Sequence, residues 1–188
     1  MRRPALAAAA VALLAALAGC TSGAGGDADG RGGGPTAGSG QPASAGKTSP
    51  SAVWSSGPQG APRRGAGEAV LVEVRAARQN GFDRLVFEFE DGLPGYQARY
   101  VSQVTAAGGG AVALQGTAFL LLAFDGASAG DAGLAQRDLQ PRFGSLRQVR
   151  LLDQGDGRVR FGIGVDAVAG YLAHTLTGPD RVIIDVAA

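Results

Sequence analysis

Between residues 68 and 188 the chain alternates apolar and polar side chains in short runs, and this two-residue period restricts its fold more than any other feature. In the run 85–90, every second side chain is leucine or phenylalanine, and the runs 158–165 and 181–186 repeat the pattern. Successive side chains of a β-strand point to opposite faces, so such a run has one face on a core and the other in water. The alternation predicts strands rather than helices.

Glycine, aspartate and proline punctuate these runs and predict the turns between them. Gly155-Asp156-Gly157 is typical of a hairpin turn. The segment 126–141 is predicted to be a loop with one helical turn near residues 134–139. Further candidate strands lie at 69–76, 97–104, 111–114, 117–124, 147–153 and 171–177. About nine short strands predict an all-β fold, a small β-sandwich of two packed sheets.

The composition changes sharply before this region. Residues 20–67 consist mainly of Gly, Ala, Ser, Pro and Thr. Such a segment buries too little apolar surface to offset the entropy of ordering it, so we expect a disordered N-terminal tether. Residues 68–188 then form one domain, long enough for a single core. Trp54, the only tryptophan, lies in the predicted tether, where it is either a stray aromatic residue or one that docks back on the domain.

The N-terminus carries the pattern of a processed leader. Arg2 and Arg3 precede an apolar run from Ala5 to Ala18, which ends in Leu17-Ala18-Gly19-Cys20. The run makes about 21 Å of helix, short of the roughly 30 Å of a bilayer core. The segment resembles a bacterial lipobox, which implies a signal peptide at 1–19, cleavage before Cys20 and a diacylglycerol on its sulfur. Acyl chains on Cys20 would hold the protein at the membrane, on its extracytoplasmic side.

Charge and rare residues exclude several function classes. The formal net charge is +1, and loss of the two leader arginines would leave the chain close to neutral, which argues against a nucleic-acid partner. Cys20 is the sole cysteine, so no disulfide forms within the chain. A single histidine, His174, excludes a multi-histidine metal site. We predict neither a metal nor a cofactor.

Two segments echo each other. Residues 83–89 and 180–186 both read Asp-Arg, three apolar residues, an acid and an apolar residue. The echo predicts two strands in equivalent places of a pseudo-symmetric sandwich. We interpret each Asp-Arg as a surface ion pair at a strand entry, which contributes little to stability.

The segments that carry a family resemblance span nearly all of 68–188. They are 81–89 (GFDRLVFEF), 93–96 (LPGY), 99–101 (RYV), 159–166 (VRFGIGVD) and 176–186 (LTGPDRVIIDV). Together they resemble the AMIN-like domain of actinobacterial envelope proteins. The resemblance implies a small sandwich of two sheets and a non-catalytic module that faces the cell wall. It supplies no ligand-contact residue.

One string suggests catalysis. Residues 126–130 spell Gly-x-Ser-x-Gly around Ser128, and Asp153 or Asp166 and then His174 follow in the order of α/β-hydrolases. A nucleophile elbow needs a long helix after the turn, whereas residues 131–146 contain glycines and Pro141. We therefore expect no enzyme.

Binding is the remaining function, and the side chains suited to carbohydrate or carboxylate recognition are few. Arg99 and Tyr100 are adjacent and point to opposite faces of a strand, whereas Arg158 and Arg160 share a face. The candidate ligand-binding residues are Tyr96, Arg99, Tyr100, Arg158, Arg160 and Tyr171. We expect a membrane-anchored lipoprotein that binds peptidoglycan or another cell-wall polymer. The alternative is a protein-interaction module that docks an envelope enzyme or assembly.

Overall fold

The computed structural model describes residues 53–188. The predicted signal peptide at 1–19, Cys20 and the predicted tether as far as residue 52 lie outside the described residues. Within 53–188, no helix is long and apolar enough to cross a membrane.

The described residues form two β-sheets, which confirms the predicted all-β sandwich. One sheet has six strands in the order β1-β4-β5-β9-β8-β7, and the other has five in the order β10-β11-β3-β2-β6. Every pairing is antiparallel except that of β2 with β6. The elements are β1 (Gln59–Ala61), β2 (Ala69–Gln79), β3 (Phe82–Glu90), β4 (Gly95–Val101), β5 (Ala118–Asp125), β6 (Ala127–Ala129), α1 (Asp131–Ala135), β7 (Asp138–Leu139), β8 (Leu146–Gly155), β9 (Arg158–Val165), β10 (Tyr171–Leu176) and β11 (Asp180–Ala187).

The core lies between the two sheets and is built from the alternating apolar residues. Phe87 of β3 packs edge-on against Phe124 of β5 and Phe161 of β9, with ring centroids 5.2 Å and 5.1 Å away. Phe89 meets Phe124 in the same manner at 5.1 Å. All four rings are buried. Edge-to-face aromatic pairs add a specific geometric preference to the hydrophobic burial, so this cluster fixes how the sheets face each other.

The hairpin predicted at 155–157 is confirmed. Gly155 pairs with Arg158 across a two-residue loop, Asp156-Gly157. Both loop residues have positive φ, 52° and 69°. Positive φ at both central positions is the mark of a type I′ turn, whose twist matches that of paired strands and for which Asp-Gly is a preferred sequence. Local turn chemistry thus sets the register of β8 on β9.

Two sequence predictions differ from the structure. The segment 111–114 is not a strand, because it belongs to a loop, 102–117, whose one β-pairing is an isolated bridge between Thr105 and Ala111. The segment 126–141 holds a helix at Asp131–Ala135, earlier than predicted, and the short strands β6 and β7. β6 pairs in parallel with β2. Such two- and three-residue strands are too short to show a period in the sequence.

Residues 53–67 make backbone pairs with both sheets, which corrects the C-terminal end of the predicted tether. Residues 55–64, here called the strap, join the edges of both sheets. Ser55 exchanges backbone hydrogen bonds with Tyr171 of β10, and β1 pairs with β4. Trp54 packs on Phe82 with ring centroids 5.8 Å apart and remains 42% exposed. Backbone hydrogen bonds hold this segment in place, and they form whether its side chains are polar or apolar.

The two echo segments are neighbours in one sheet rather than equivalent strands of a pseudo-symmetric sandwich. β3 and β11 pair antiparallel, so the arginine of each segment lies opposite the acid of the other. Arg84 donates to both carboxylate oxygens of Asp185 at 2.7 Å and 2.8 Å. Asp83 is not a surface residue, because it is fully buried and accepts hydrogen bonds from the backbone N–H groups of Ser145 and of Leu146, the first residue of β8 in the other sheet. The prediction of a surface Asp-Arg pair is wrong at this segment.

Candidate functional site

Outward side chains of β4, β5 and β9 place polar groups around a small apolar centre. In the antiparallel register, Ala123 of β5 lies between Gln97 of β4 and Arg160 of β9. One step along the same face, Asp125 lies opposite Arg158. Because the Ala123 side chain ends at Cβ between two long side chains, the sheet surface is hollow at this position.

The loop 102–117 covers the neighbouring part of this face. Gly162 and Gly164 occupy outward positions of β9, where a Cβ on Gly164 would overlap the carbonyl oxygen of Gln115. A Cβ on Gly162 would lie 2.7 Å from a methyl group of Leu114. Glycine in a strand often marks such a close approach of another segment. The loop therefore leaves only the polar part of the face open.

The open part is a hollow of about 210 Å³, which we call the arginine groove. It is lined by Gln97, Arg99, Leu121, Ala123, Asp125, Arg158 and Arg160. A hollow of about 470 Å³ adjoins it toward the strap and shares Gln97 and Asp125 with it. Another of about 480 Å³ adjoins it toward the β8–β9 hairpin and shares Arg158 and Arg160. The three hollows share lining residues and so lie side by side from β1 to β8, over four strand spacings or about 19 Å; together we call them the trough.

The arginines of the groove differ in their partners. Arg158 Nε donates to Asp125 Oδ1 at 2.9 Å, and both side chains are more than half exposed. Arg160 Nε donates to both oxygens of Asp153 at 2.8 Å and 3.1 Å, and this bond raises the pKa of Arg160. The exposed side chain of Arg99 has no ion pair or hydrogen bond with any described residue. The groove therefore presents one guanidinium that is free to meet a ligand.

The structure brings together Arg99, Arg158 and Arg160 of the sequence-predicted site residues. The three tyrosines direct their rings inward, although Tyr96 is also among the residues that line the 470 Å³ hollow. Tyr96 and Tyr171 are buried in the core, and Tyr100 packs against it. Their hydroxyls donate to the carbonyl oxygens of Ala173 at 3.2 Å, of Ala98 at 2.7 Å and of Ala169 at 3.0 Å, respectively. Burial raises the pKa of all three and that of Tyr171 to about 12. They are therefore not available to stack on a ligand at the sheet exterior.

The residues of the hydrolase string do not meet. Ser128 lies on β6 and His174 on β10, the two opposite edges of the five-stranded sheet. Four strand spacings, about 19 Å, separate these edges, far beyond hydrogen-bond reach. Within residues 53–188, no three His, Cys, Asp or Glu side chains are grouped as a metal would require.

Sequence reasoning missed Gln97 and Ala123. The residues themselves carry no distinctive signal, since a glutamine and an alanine on a strand are ordinary. The alternation 97, 99 on one strand and 121, 123 on the next places them on an outward face, but only the β4–β5 register sets them side by side. The outward glycines 162 and 164 could have indicated that a loop covers the rest of the face.

A family model places this sandwich among known domains. The AMIN-like domain model matches residues 69–188, well over half of the chain. The chain belongs to the AMIN-like domain family. AMIN-like domains are extracytoplasmic modules of the cell envelope and are generally non-catalytic. The match begins at residue 69, so the strap, residues 55–64, lies outside the matched segment.

Neither the curated proteins nor the solved structures contain a match to this chain.

Proposed function

We propose that the AMIN-like domain binds peptidoglycan or another cell-wall polymer along the trough and thereby localises the protein, or a partner that it carries, at the wall. The observation that carries this proposal is the trough itself: an elongated, polar depression across the six-stranded sheet, lined by arginine and amide side chains. An extended polymer fits such a depression better than a compact ligand does.

The composition of the trough favours a polar polymer over a protein partner. A docking face for a protein is commonly a contiguous apolar patch, and its centre is depleted in charge. In the arginine groove, four of the seven lining residues are Arg or Asp, and the apolar ones are a single leucine and a single alanine. Arginine forks and amides hydrogen-bond the carboxylates and hydroxyls of wall polymers.

The proposed lipid anchor and tether would bring the domain within reach of the wall. A lipid on Cys20 would hold the chain at the membrane, and a tether from Cys20 to residue 52 would let the domain reach the wall. A flexible segment of that length has an end-to-end distance of roughly 35 Å and extends to about 110 Å. Metabolic labelling with a fatty acid, compared between the native chain and Cys20→Ser, tests the anchor: label on the variant would contradict it.

Co-sedimentation with purified sacculi tests the wall-binding function. The full chain with Cys20→Ser, which excludes a lipid contribution, is mixed with sacculi over a range of salt concentrations. We expect retention that weakens on Arg158→Ala and is unchanged on Arg137→Ala, an exposed arginine at the other edge of the same sheet without an ion pair among the described residues. No retention at any salt concentration would overturn the proposal and favour the protein-interaction alternative.

A further inference from the structure

We infer that the arginine groove recognises one oxyanion group of its ligand, a carboxylate or a phosphodiester, seated over Ala123 with Arg99 as the main contact. The inference rests on the proposed wall-polymer function, and it names the chemical group within the polymer that the groove selects.

Arg99 is the first reason. Its side chain is exposed on β4, lines the groove and has no carboxylate partner among the described residues. An anion that binds Arg99 breaks no existing ion pair, so the gain from a charge-assisted hydrogen bond is not offset by the loss of another. Arg160, in contrast, is held by Asp153 and also lies 3.4 Å from the carbonyl oxygen of Thr105. Arg160 is therefore a positioning residue that forms the rigid far wall.

The shape of the hollow is the second reason. Ala123 forms its floor, with Leu121 one step along β5 on the same face. Gln97 lies opposite Ala123 on β4, and its exposed amide can donate to an anion over the floor. An oxyanion over Ala123 thus has Arg99 and Gln97 on one side and the β9 arginines on the other. A larger side chain at 123 would occupy its position.

The charge balance is the third reason. Asp125 neutralises Arg158 and Asp153 neutralises Arg160, so Arg99 leaves one uncompensated positive charge at the groove. This balance fits a ligand group with one negative charge. The Arg158–Asp125 pair is exposed and contributes little, so Arg158 can turn from Asp125 to the ligand without a large loss.

Sacculus binding by charge and shape variants tests the inference. The full chain with Cys20→Ser is compared with the same chain carrying Arg99→Gln, Arg99→Lys or Ala123→Leu. We expect Arg99→Gln to weaken binding about ten-fold to a hundred-fold, the range for loss of a hydrogen bond to a charged group. Arg99→Lys should be intermediate, because an ammonium keeps the charge but not the planar fork. Ala123→Leu should weaken binding although it changes no charge.

Matched controls lie outside the groove. Arg137→Gln removes an exposed arginine at the opposite edge of the sheet, and Ala77→Leu enlarges an exposed strand alanine on the other sheet. Neither should change binding. Two chemical treatments of the sacculi then distinguish the source of the anion: amidation of the carboxyl groups, and removal of the phosphodiester polymers.

Each outcome has a defined meaning. If one treatment lowers binding of the parent chain to the level of Arg99→Gln, the inference holds and the anion is the group removed. If the parent binds but neither treatment nor Arg99→Gln weakens it, the inference fails while the proposed function stands. If the parent does not bind untreated sacculi, the proposed function fails, and the inference fails with it.

Discussion

The buried carboxylate of Asp83 offers the sharpest test of how the two sheets are joined. Asp83 projects from β3 of the five-stranded sheet, and its Oδ2 accepts hydrogen bonds from the backbone N–H groups of Ser145, at 2.7 Å, and of Leu146, at 2.9 Å. Leu146 begins β8 of the six-stranded sheet. One buried oxygen thus connects the sheets at one end of the sandwich.

Asp83→Ala removes the acceptor and leaves both N–H groups without a partner. An unsatisfied buried donor costs about 1–3 kcal/mol. Because the Ser145 group is only partly buried, we expect the free energy of unfolding to fall by about 2–5 kcal/mol. Asp83→Asn should reduce the free energy of unfolding by less than half as much, since the amide oxygen can still accept from both groups. Its NH₂ replaces Oδ1, which has no hydrogen-bond partner and lies 3.9 Å from Nε of the exposed Arg78, so the lost ion pair contributes little.

Urea unfolding of the Cys20→Ser chain measures these losses. Fluorescence of the single tryptophan, Trp54, and far-UV circular dichroism should give coincident transitions with an unchanged denaturant slope. Asp180→Ala is the matched control, because Asp180 is the counterpart of Asp83 in the echo and its side chain makes no hydrogen bond or ion pair with described residues, although its backbone pairs with Phe89. We expect that control within about 0.5 kcal/mol of the parent. An Asp83→Ala variant as stable as the control would refute the reasoning.

Three further predictions concern other parts of the sandwich. Burial lowers the pKa of the His174 imidazole below its usual 6.5, so as the pH falls the unfolded chain is protonated at His174 before the folded chain is. The free energy of unfolding should therefore decrease from about pH 6.5 down to the lowered pKa. Urea unfolding at several pH values should show that His174→Gln removes this part of the pH dependence. Gly164→Ala should lower the free energy of unfolding more than Gly162→Ala in the same assay. A methyl group at 164 would overlap the backbone carbonyl of Gln115, whereas one at 162 would meet the movable end of the Leu114 side chain. Equal losses of stability in the two variants would contradict this reasoning. Gly60→Val should release the strap without unfolding the core, since its side chain would overlap the Tyr96 carbonyl; limited proteolysis should then cleave near residue 60, whereas Gly67→Ala should not promote cleavage.

The strands could be predicted because each carries its own signal. The two-residue period located β3, β9 and β11 closely, and the Asp-Gly turn of the β8–β9 hairpin was visible in the sequence. These features depend on local chemistry, which a single sequence contains. The short strands β1, β6 and β7 depend instead on partners distant in the chain, and their two or three residues show no period.

The tyrosines show why exposure is harder to predict than strand position. The sequence does not indicate whether Tyr96 and Tyr171 face the core or the solvent, because a phenol side chain is compatible with either environment. Their rings contribute apolar surface to the core, and each hydroxyl donates a hydrogen bond to a backbone carbonyl oxygen. Arg99, by contrast, could be placed outside, because a guanidinium without a carboxylate partner is not buried. Charge therefore predicted which of the candidate residues are exposed better than aromaticity did.

The strap links the proposed anchor to the proposed binding surface. Residues 58–63 line the hollow at one end of the trough, and the proposed tether from Cys20 to residue 52 precedes the strap in the chain. The AMIN-like match starts only at residue 69, so a chain cut at residue 68 would keep the matched domain and lose one wall of the trough. It would also lose the Gln59 amide, whose Nε2 donates to the carbonyl oxygen of Tyr171 at 2.6 Å and whose Oε1 accepts from the backbone N–H of Ala173 at 2.8 Å, both on β10. If the polymer lies along the whole trough, such a truncated domain should bind sacculi more weakly than a chain that begins at residue 53. Equal binding by the two would exclude the strap end of the trough from the contact.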